Sequence, residues 1–135
     1  MDTTQFKTLL EDPQAIAVLG SASAEGQPNV AVFGSPRLLE DGRLLMALGD
    51  NRTWACLQQN RHAVLMVFKP AAQVLAWRGV RAYLELEKEE TQGPLFQALR
   101  AEIEEQAGVM AARAVRRAVI FQVTGLRPLL DMPRT

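Results

Sequence analysis

One cysteine and one histidine are all this chain carries of either residue. Cys56 alone excludes an intrachain disulfide, and with His62 it falls short of the roughly four Cys or His ligands of a structural zinc centre. Net charge is missing too, because fifteen Lys and Arg balance fifteen Asp and Glu. No overall field therefore draws the protein to nucleic acid or to an anionic membrane. The longest wholly apolar run, residues 63–68, is far below the ~20 residues that span a bilayer. Residues 1–10 alternate polar and apolar positions and lack the apolar core of a signal peptide. The expectation is a soluble protein of the reducing cytoplasm, with no metal, nucleic acid or membrane in its function.

What is present suits one domain over residues 1–135. A chain of this length buries roughly two-thirds of its unfolded surface and folds without a covalent staple. Residues 2–10 read as a short helix with Phe6, Leu9 and Leu10 on one face and Pro13 beyond its end. Extended segments at 15–22, 29–38 and 43–48 follow. Gly26 and Pro28 turn the first pair, Asp41-Gly42 the second, in the pattern of a meander. A helix is expected over 53–60, after the capping residues Asp50 and Asn51. The run 63–68 reads as a strand covered on both sides and ended by Pro70. Alternation is clearest at 79–89, with Val80, Ala82, Leu84 and Leu86 inward and Arg81, Tyr83, Glu85 and Glu87 outward. Pro94 opens a helix striped by Leu95, Phe96, Leu99 and Ile103, and Gly108 stops it. A further helical piece covers 109–117, and 118–126 is a last strand. The fold class is therefore mainly β with short helices, in which six antiparallel strands make a small closed barrel without exposed edges. Periodicity does not choose among barrel types.

Chemistry concentrates between residues 41 and 68. A strand enters the turn Gly49-Asp50-Asn51 and then Arg52-Thr53 at the head of a helix. A helix amino terminus offers unpaired N–H groups and partial positive charge. Arg52 adds a forked cation and Thr53 a hydroxyl, which together suit a phosphate monoester. The same residues also suit a plain cap with a solvated arginine, and Asp50 opposes an anion if its carboxylate faces the pocket. Trp54 reads as core, Cys56 as a small buried residue without a base to ionise it, and His62 as a residue after a helix end. Arg113, Arg116 and Arg117 suit helix-end electrostatics or a subunit surface.

Taken together, the sequence resembles the pyridoxamine 5′-phosphate oxidase-like proteins of the FMN-binding split barrel, including the small FMN-binding proteins. The resemblance is carried by Ala17-Val-Leu-Gly-Ser-Ala-Ser-Ala-Glu-Gly-Gln-Pro-Asn-Val, Phe33-Gly-Ser-Pro, Asp41-Gly-Arg-Leu-Leu and Asn51-Arg-Thr. Asn60-Arg-His-Ala-Val-Leu, Arg78-Gly-Val-Arg-Ala-Tyr-Leu and Ala118-Val-Ile-Phe-Gln-Val extend it over nearly the whole chain. It implies a six-stranded Greek-key split barrel that forms a homodimer with FMN at the seam. On the family's pattern Asn51, Arg52 and Thr53 meet the flavin phosphate. Phe33, Gly34, Ser35 and Pro36 follow the ring and ribityl chain, and Leu45, Met46, Ala47 and Leu48 supply backbone contacts to the ring edge. Trp77 and Arg78 close the pocket of the partner.

The resemblance also implies a flavin-dependent oxidoreductase in which hydride arrives from a nicotinamide or another reductant and leaves to a small substrate, oxygen or a redox protein. The substrate-phosphate cluster of the longer, vitamer-oxidising enzyme has no counterpart here, which argues against true pyridoxamine phosphate oxidation. Ala31 and Val32 also stand where some relatives place polar flavin contacts. Two other readings stay open: a non-enzymatic flavin carrier or sensor, and a split barrel holding deazaflavin, haem or no ligand.

Overall fold

The structure, a computed structural model, describes residues 3–133. Helix α1 spans Thr3–Glu11; Asp2, its expected start, lies outside the described residues. The strands are β1 (Ile16–Ala22), β2 (Pro28–Val32), β3 (Arg37–Leu38), β4 (Leu44–Leu48), β5 (His62–Lys69), β6 (Arg78–Glu90) and β7 (Arg117–Pro128). Helix α2 (Arg52–Gln59) links β4 to β5, a 3₁₀ turn (Val74–Ala76) interrupts the β5–β6 loop, and α3 (Pro94–Ala107) and α4 (Val109–Ala114) precede β7. The segments expected at 53–60, 79–89 and 94–108 thus form as the chain's periodicity directs.

All seven strands belong to one antiparallel sheet in the order β2-β1-β5-β6-β7-β4-β3. Because β4 lies beside β7 while β5, β6 and β7 are successive neighbours, the arrangement is a Greek key. The two edge strands, β2 and β3, are consecutive in the chain and joined by residues 33–36 alone. That linker reaches at most about 17 Å. Seven flat strands would hold the edges about 29 Å apart. The sheet must curl, and it becomes a barrel.

This corrects the expectation in two respects. There are seven strands, not six, because the segment expected to run extended over 29–38 breaks into β2 and β3. The barrel is also not closed by a backbone ladder. The backbone pairing of β3 with β4 stops at Arg37 and Leu45, and beyond it the Ser35 hydroxyl meets β4 at Ala47: it accepts from the Ala47 N–H (3.1 Å) and lies 3.4 Å from the Ala47 carbonyl. A side chain thus continues the contact where the ladder ends.

The barrel interior is packed by Leu19, Met46, Leu65, Val80 and Phe121, with Phe6 of α1 and Leu57 of α2 as plugs. Residues Val80, Ala82, Leu84 and Leu86 are all buried, as the alternation of β6 requires. Gly42 closes the β3–β4 hairpin at φ +90°, a conformation costly for other residues. At Gly79 a Cβ would meet the Phe68 Cβ at 2.7 Å and the Val67 carbonyl at 2.8 Å, so only glycine lets β5 and β6 approach this closely. On the outside, Leu45, Ala47, Ala118 and Ile120 of β4 and β7 are covered by Phe96 and Leu99 of α3 and by Val115. Helix α3 covers that side, while α1 packs against β3, β5 and β6 and α2 against β1 and β2. Among the described residues no helix is long and apolar enough to cross a membrane.

Candidate functional site

The chain leaves β4 through Gly49 and Asp50 and caps α2 with Asn51, whose backbone is extended (φ −137°, ψ 176°). The Asn51 Oδ1 accepts from the Trp54 N–H at 2.9 Å, which satisfies one donor of the first turn. Among the described residues, the N–H groups of Arg52 and Thr53 and the Arg52 guanidinium have no partner. Arg52 is exposed, whereas Thr53 is buried. The Thr53 Oγ1 accepts from Asn29 Nδ2 at 3.1 Å, and that same amide donates to Ser21 Oγ at 3.4 Å. A hydroxyl fixed as an acceptor keeps its own proton to donate. Two amides, one guanidinium and one hydroxyl are thus donors offered at the head of α2, a set suited to serve as a seat for an anion.

Asp50 does not enter this seat. Arg117 Nη2 holds its carboxylate at 2.8 Å, and Arg116 stands 3.8 Å away on the same side. Arg117 also donates to the Gly49 carbonyl (2.7 Å) and to Glu89 (3.2 Å), and its guanidinium lies 4.5 Å from the centre of the Trp54 ring. One side chain from β7 thus clamps the turn that aims α2. Sequence reasoning assigned Arg117 to helix ends or a subunit surface and overlooked Asn29 and Ser21. Its partners come from segments 28 to 68 residues away in the chain, which no local pattern reveals.

Two results are expected from this clamp. Arg117→Met keeps the apolar stem but loses the charge-assisted bond to the Gly49 carbonyl, worth about 1.5–3 kcal/mol. Its thermal midpoint should fall by roughly 5–10 °C, read by circular dichroism; an unchanged midpoint removes the clamp from the account. The second result concerns pH. Hydrogen bonding from Arg117 lowers the Asp50 carboxyl below its ordinary value, and bonds from Gln122 and Arg43 do the same for Glu87. A group lowered in the folded state adds stability that is full above about pH 4–4.5 and lost as pH falls through its lowered value. Thermal midpoints should be flat above that range and drop below it, with part of the drop absent in Asp50→Asn.

The remaining sequence-derived positions divide by location. Phe33 and Gly34 follow β2, at the opposite end of that strand from Asn29 and Thr53; the intervening residues of extended chain cover about 13 Å. Phe33, Gly34 and Pro36 line one cavity there. Ser35 is buried with its hydroxyl engaged on β4. Leu45, Met46, Ala47 and Leu48 are buried, their side chains divided between the barrel interior and the α3 side. Their strand pairs with β7 along 44–48 and with β3 at 44–45, so little of it is open to any ligand. Trp77 stacks on Phe68 (5.4 Å between centres, planes within 2°) and donates its Nε1–H to the Ala71 carbonyl at 2.9 Å. Trp77 and Arg78 lie beside the Lys69 end of β5, and β1 pairs there through Ile16, far from the Ser21 end that meets α2. One chain does not bring them to Arg52. Cys56 is buried and Trp54 half-buried under Arg117, while His62 is exposed.

A second surface adjoins the seat. The outer faces of β2, β1, β5 and β6 carry Val30, Val32, Val18, Val64, Met66 and Tyr83 in register. Val30 and Val32 are 69% and 71% exposed. Among the described residues no helix covers these two valines, in contrast to the covered face of β4 and β7. Asn29, next to Val30, joins this apolar face to the α2 mouth.

Neither a family model nor a curated protein sequence matches the chain. Solved structures do. An FMN-binding protein from Syntrophomonas wolfei subsp. wolfei superimposes with a TM-score of 0.83 at 17% identity, over 96% of this chain and 87% of that one. The haem storage protein HutZ from Vibrio cholerae gives 0.70 at 17% identity over 93% of each chain. A putative pyridoxamine 5′-phosphate oxidase from Lactobacillus delbrueckii gives 0.68 at 16% identity, over 94% of this chain and 93% of that one. Identities this low speak for architecture, and on that footing the chain has the pyridoxamine 5′-phosphate oxidase-like split-barrel fold.

Proposed function

We propose that the protein binds FMN between two copies of itself and acts as a flavin-dependent oxidoreductase on a small substrate. The observation that carries this reading is the donor set at the head of α2, where the Arg52 guanidinium and the Arg52 and Thr53 amides have no partner among the described residues and the Thr53 hydroxyl keeps its proton to donate. A phosphate dianion satisfies all of them. The residues also fit the rest of the cofactor: the distance from Asn29 to Phe33 along β2 is about 13 Å, the scale of a ribityl chain with its ring. When bound, FMN supplies two-electron exchange with a reductant such as a nicotinamide. The chain's own groups bind and orient. Asn51 sets the helix entry, Asn29 fixes the Thr53 hydroxyl, and Phe33 and Gly34 offer an apolar rest.

The second copy enters through the bare apolar face. A contiguous patch of this kind on a soluble domain marks an interaction site, and a self-complementary two-fold contact is the commonest way to cover it. Trp77 and Arg78 lie at the wrong end of their own barrel to reach its α2, so they close the site of the other copy. Of the cations at the Phe33 end, Arg37 and Lys69 are each held by a carboxylate, Glu102 (2.7 Å) and Asp12 (3.0 Å). That leaves neither for a substrate phosphate, and a phosphorylated B6 vitamer is not the expected substrate.

The test is the absorption spectrum and mass of whatever co-purifies. Yellow flavin bands and the mass of FMN support the proposal; a Soret band or a deazaflavin mass replaces it. Turnover with NADH or NADPH and an electron acceptor then separates an oxidoreductase from a carrier or sensor, which would bind flavin without turning over.

A further inference from the structure

Two aspartates of this chain bond the amide two residues further on. Asp12 Oδ1 accepts from the Gln14 N–H at 2.8 Å, and Asp41 Oδ1 accepts from the Arg43 N–H at 3.1 Å. This is the local turn that aspartate closes most readily. Their second oxygens take a cation, Lys69 and Arg43. At Asp131 the residue two on is Pro133, which has no N–H. Among the described aspartates that have such an amide, Asp50 is the exception. The amide it leaves alone belongs to Arg52 and is one of the free donors at the head of α2. Both Asp50 oxygens turn to β7 and the residue before it instead: Oδ1 lies 2.8 Å from Arg117 Nη2, and Oδ2 lies 3.8 Å from Arg116 Nε. Arg117 is itself tied down. Its Nη1 donates to the Gly49 carbonyl, its Nε to Glu89, and its guanidinium rests on the Trp54 ring with the side chain only 11% exposed.

We propose that Arg117 is a positioning residue that withholds Asp50 from the Arg52 amide, and so keeps the head of α2 open to an anion from outside the chain. Released, Asp50 closes its turn on Arg52 as Asp12 and Asp41 close theirs. Its carboxylate then occupies one donor of the seat and sets a like charge beside any phosphate that approaches. Arg117 thus favours the external anion without touching it. The inference rests on the flavin reading only for the identity of that anion; the competition for the Arg52 amide lies within the chain.

The experiment compares the parent, Arg117→Met, Asp50→Ala and the double variant. Fluorescence titration measures FMN and riboflavin affinity, and NMR measures solvent exchange of the Arg52 amide in the ligand-free protein. Arg117→Met should weaken FMN by at least about tenfold, the cost of one charge-assisted bond denied. It should also slow exchange at Arg52, while riboflavin, which has no phosphate, binds as before. The double variant should recover both properties, because the competing carboxylate is gone. A residue that merely braces the turn predicts otherwise: the double variant stays as weak as Arg117→Met. That result overturns the inference, and so does an Arg117→Met protein that binds FMN like the parent. Asp50→Ala alone should bind FMN at least as tightly as the parent, and a loss of about tenfold there overturns it as well. Arg117→Gln, which keeps an amide donor for the Gly49 carbonyl, takes the place of Arg117→Met if that variant does not fold. A parent that takes no FMN removes the flavin reading. Exchange at Arg52 then decides alone: slowed in Arg117→Met and restored in the double variant it upholds the inference, and unchanged it rejects it.

Discussion

Replacing Arg52 and Thr53 together with alanine is expected to weaken FMN binding at least a hundredfold while leaving riboflavin binding unchanged. The reasoning is local. Charge-assisted hydrogen bonds contribute roughly 1.5–3 kcal/mol each, and two of them lost together amount to about 10²- to 10⁴-fold in affinity. Arg52 is exposed, which places its share toward the low end. Riboflavin has the ring and ribityl chain without the phosphate, so it reports on everything except the anion seat. Flavin fluorescence titration of both ligands against both proteins reads the difference. Should FMN bind the double variant as it binds the parent, α2 does not hold a phosphate. Should both flavins weaken equally, the substitutions have disturbed the barrel, and the single variant Arg52→Ala decides.

The second large effect concerns the apolar face. Val30→Glu combined with Val32→Glu should convert a dimer into monomers that no longer retain FMN. Covering a valine stabilises an interface by roughly 1.5–3 kcal/mol, and a two-fold contact counts each position twice. Each copy of the variant also presents the same sign of charge to the other. The dimer dissociation constant should rise by at least about 10³-fold. Sedimentation analysis measures it directly. Both valines point away from the barrel interior, so the melting curve of the monomer should still report a folded domain. A parent protein that sediments as a monomer would overturn the dimer, and a variant that stays dimeric would place the seam elsewhere.

Much of the architecture was legible in the chain because strands and helices impose periods. The alternation at 79–89 returned as β6 with its inward residues buried, and Pro94 and Gly108 bounded α3 as expected. Where two signals competed, the reading failed. The apolar residues around Phe33 suggest one long strand, yet the backbone pairing with β4 stops at Arg37, and beyond it the Ser35 hydroxyl meets Ala47. The strand count follows from that break. At the candidate site, the motif Asn51-Arg52-Thr53 was visible because a helix start depends on adjacent residues. Arg117, Asn29 and Ser21 were invisible because their contacts join distant segments.

Sequence alone determined a mainly antiparallel β architecture with a capped helix carrying an arginine and a threonine at its head, since those features rest on neighbours within a few residues. Tertiary structure alone decided which way Asp50 turns, which charges are paired, and which apolar face is left bare. Those outcomes depend on where Arg117, Lys69, Arg37 and α3 arrive in space. Chain distance carries no record of that, because burial and electrostatics act through proximity.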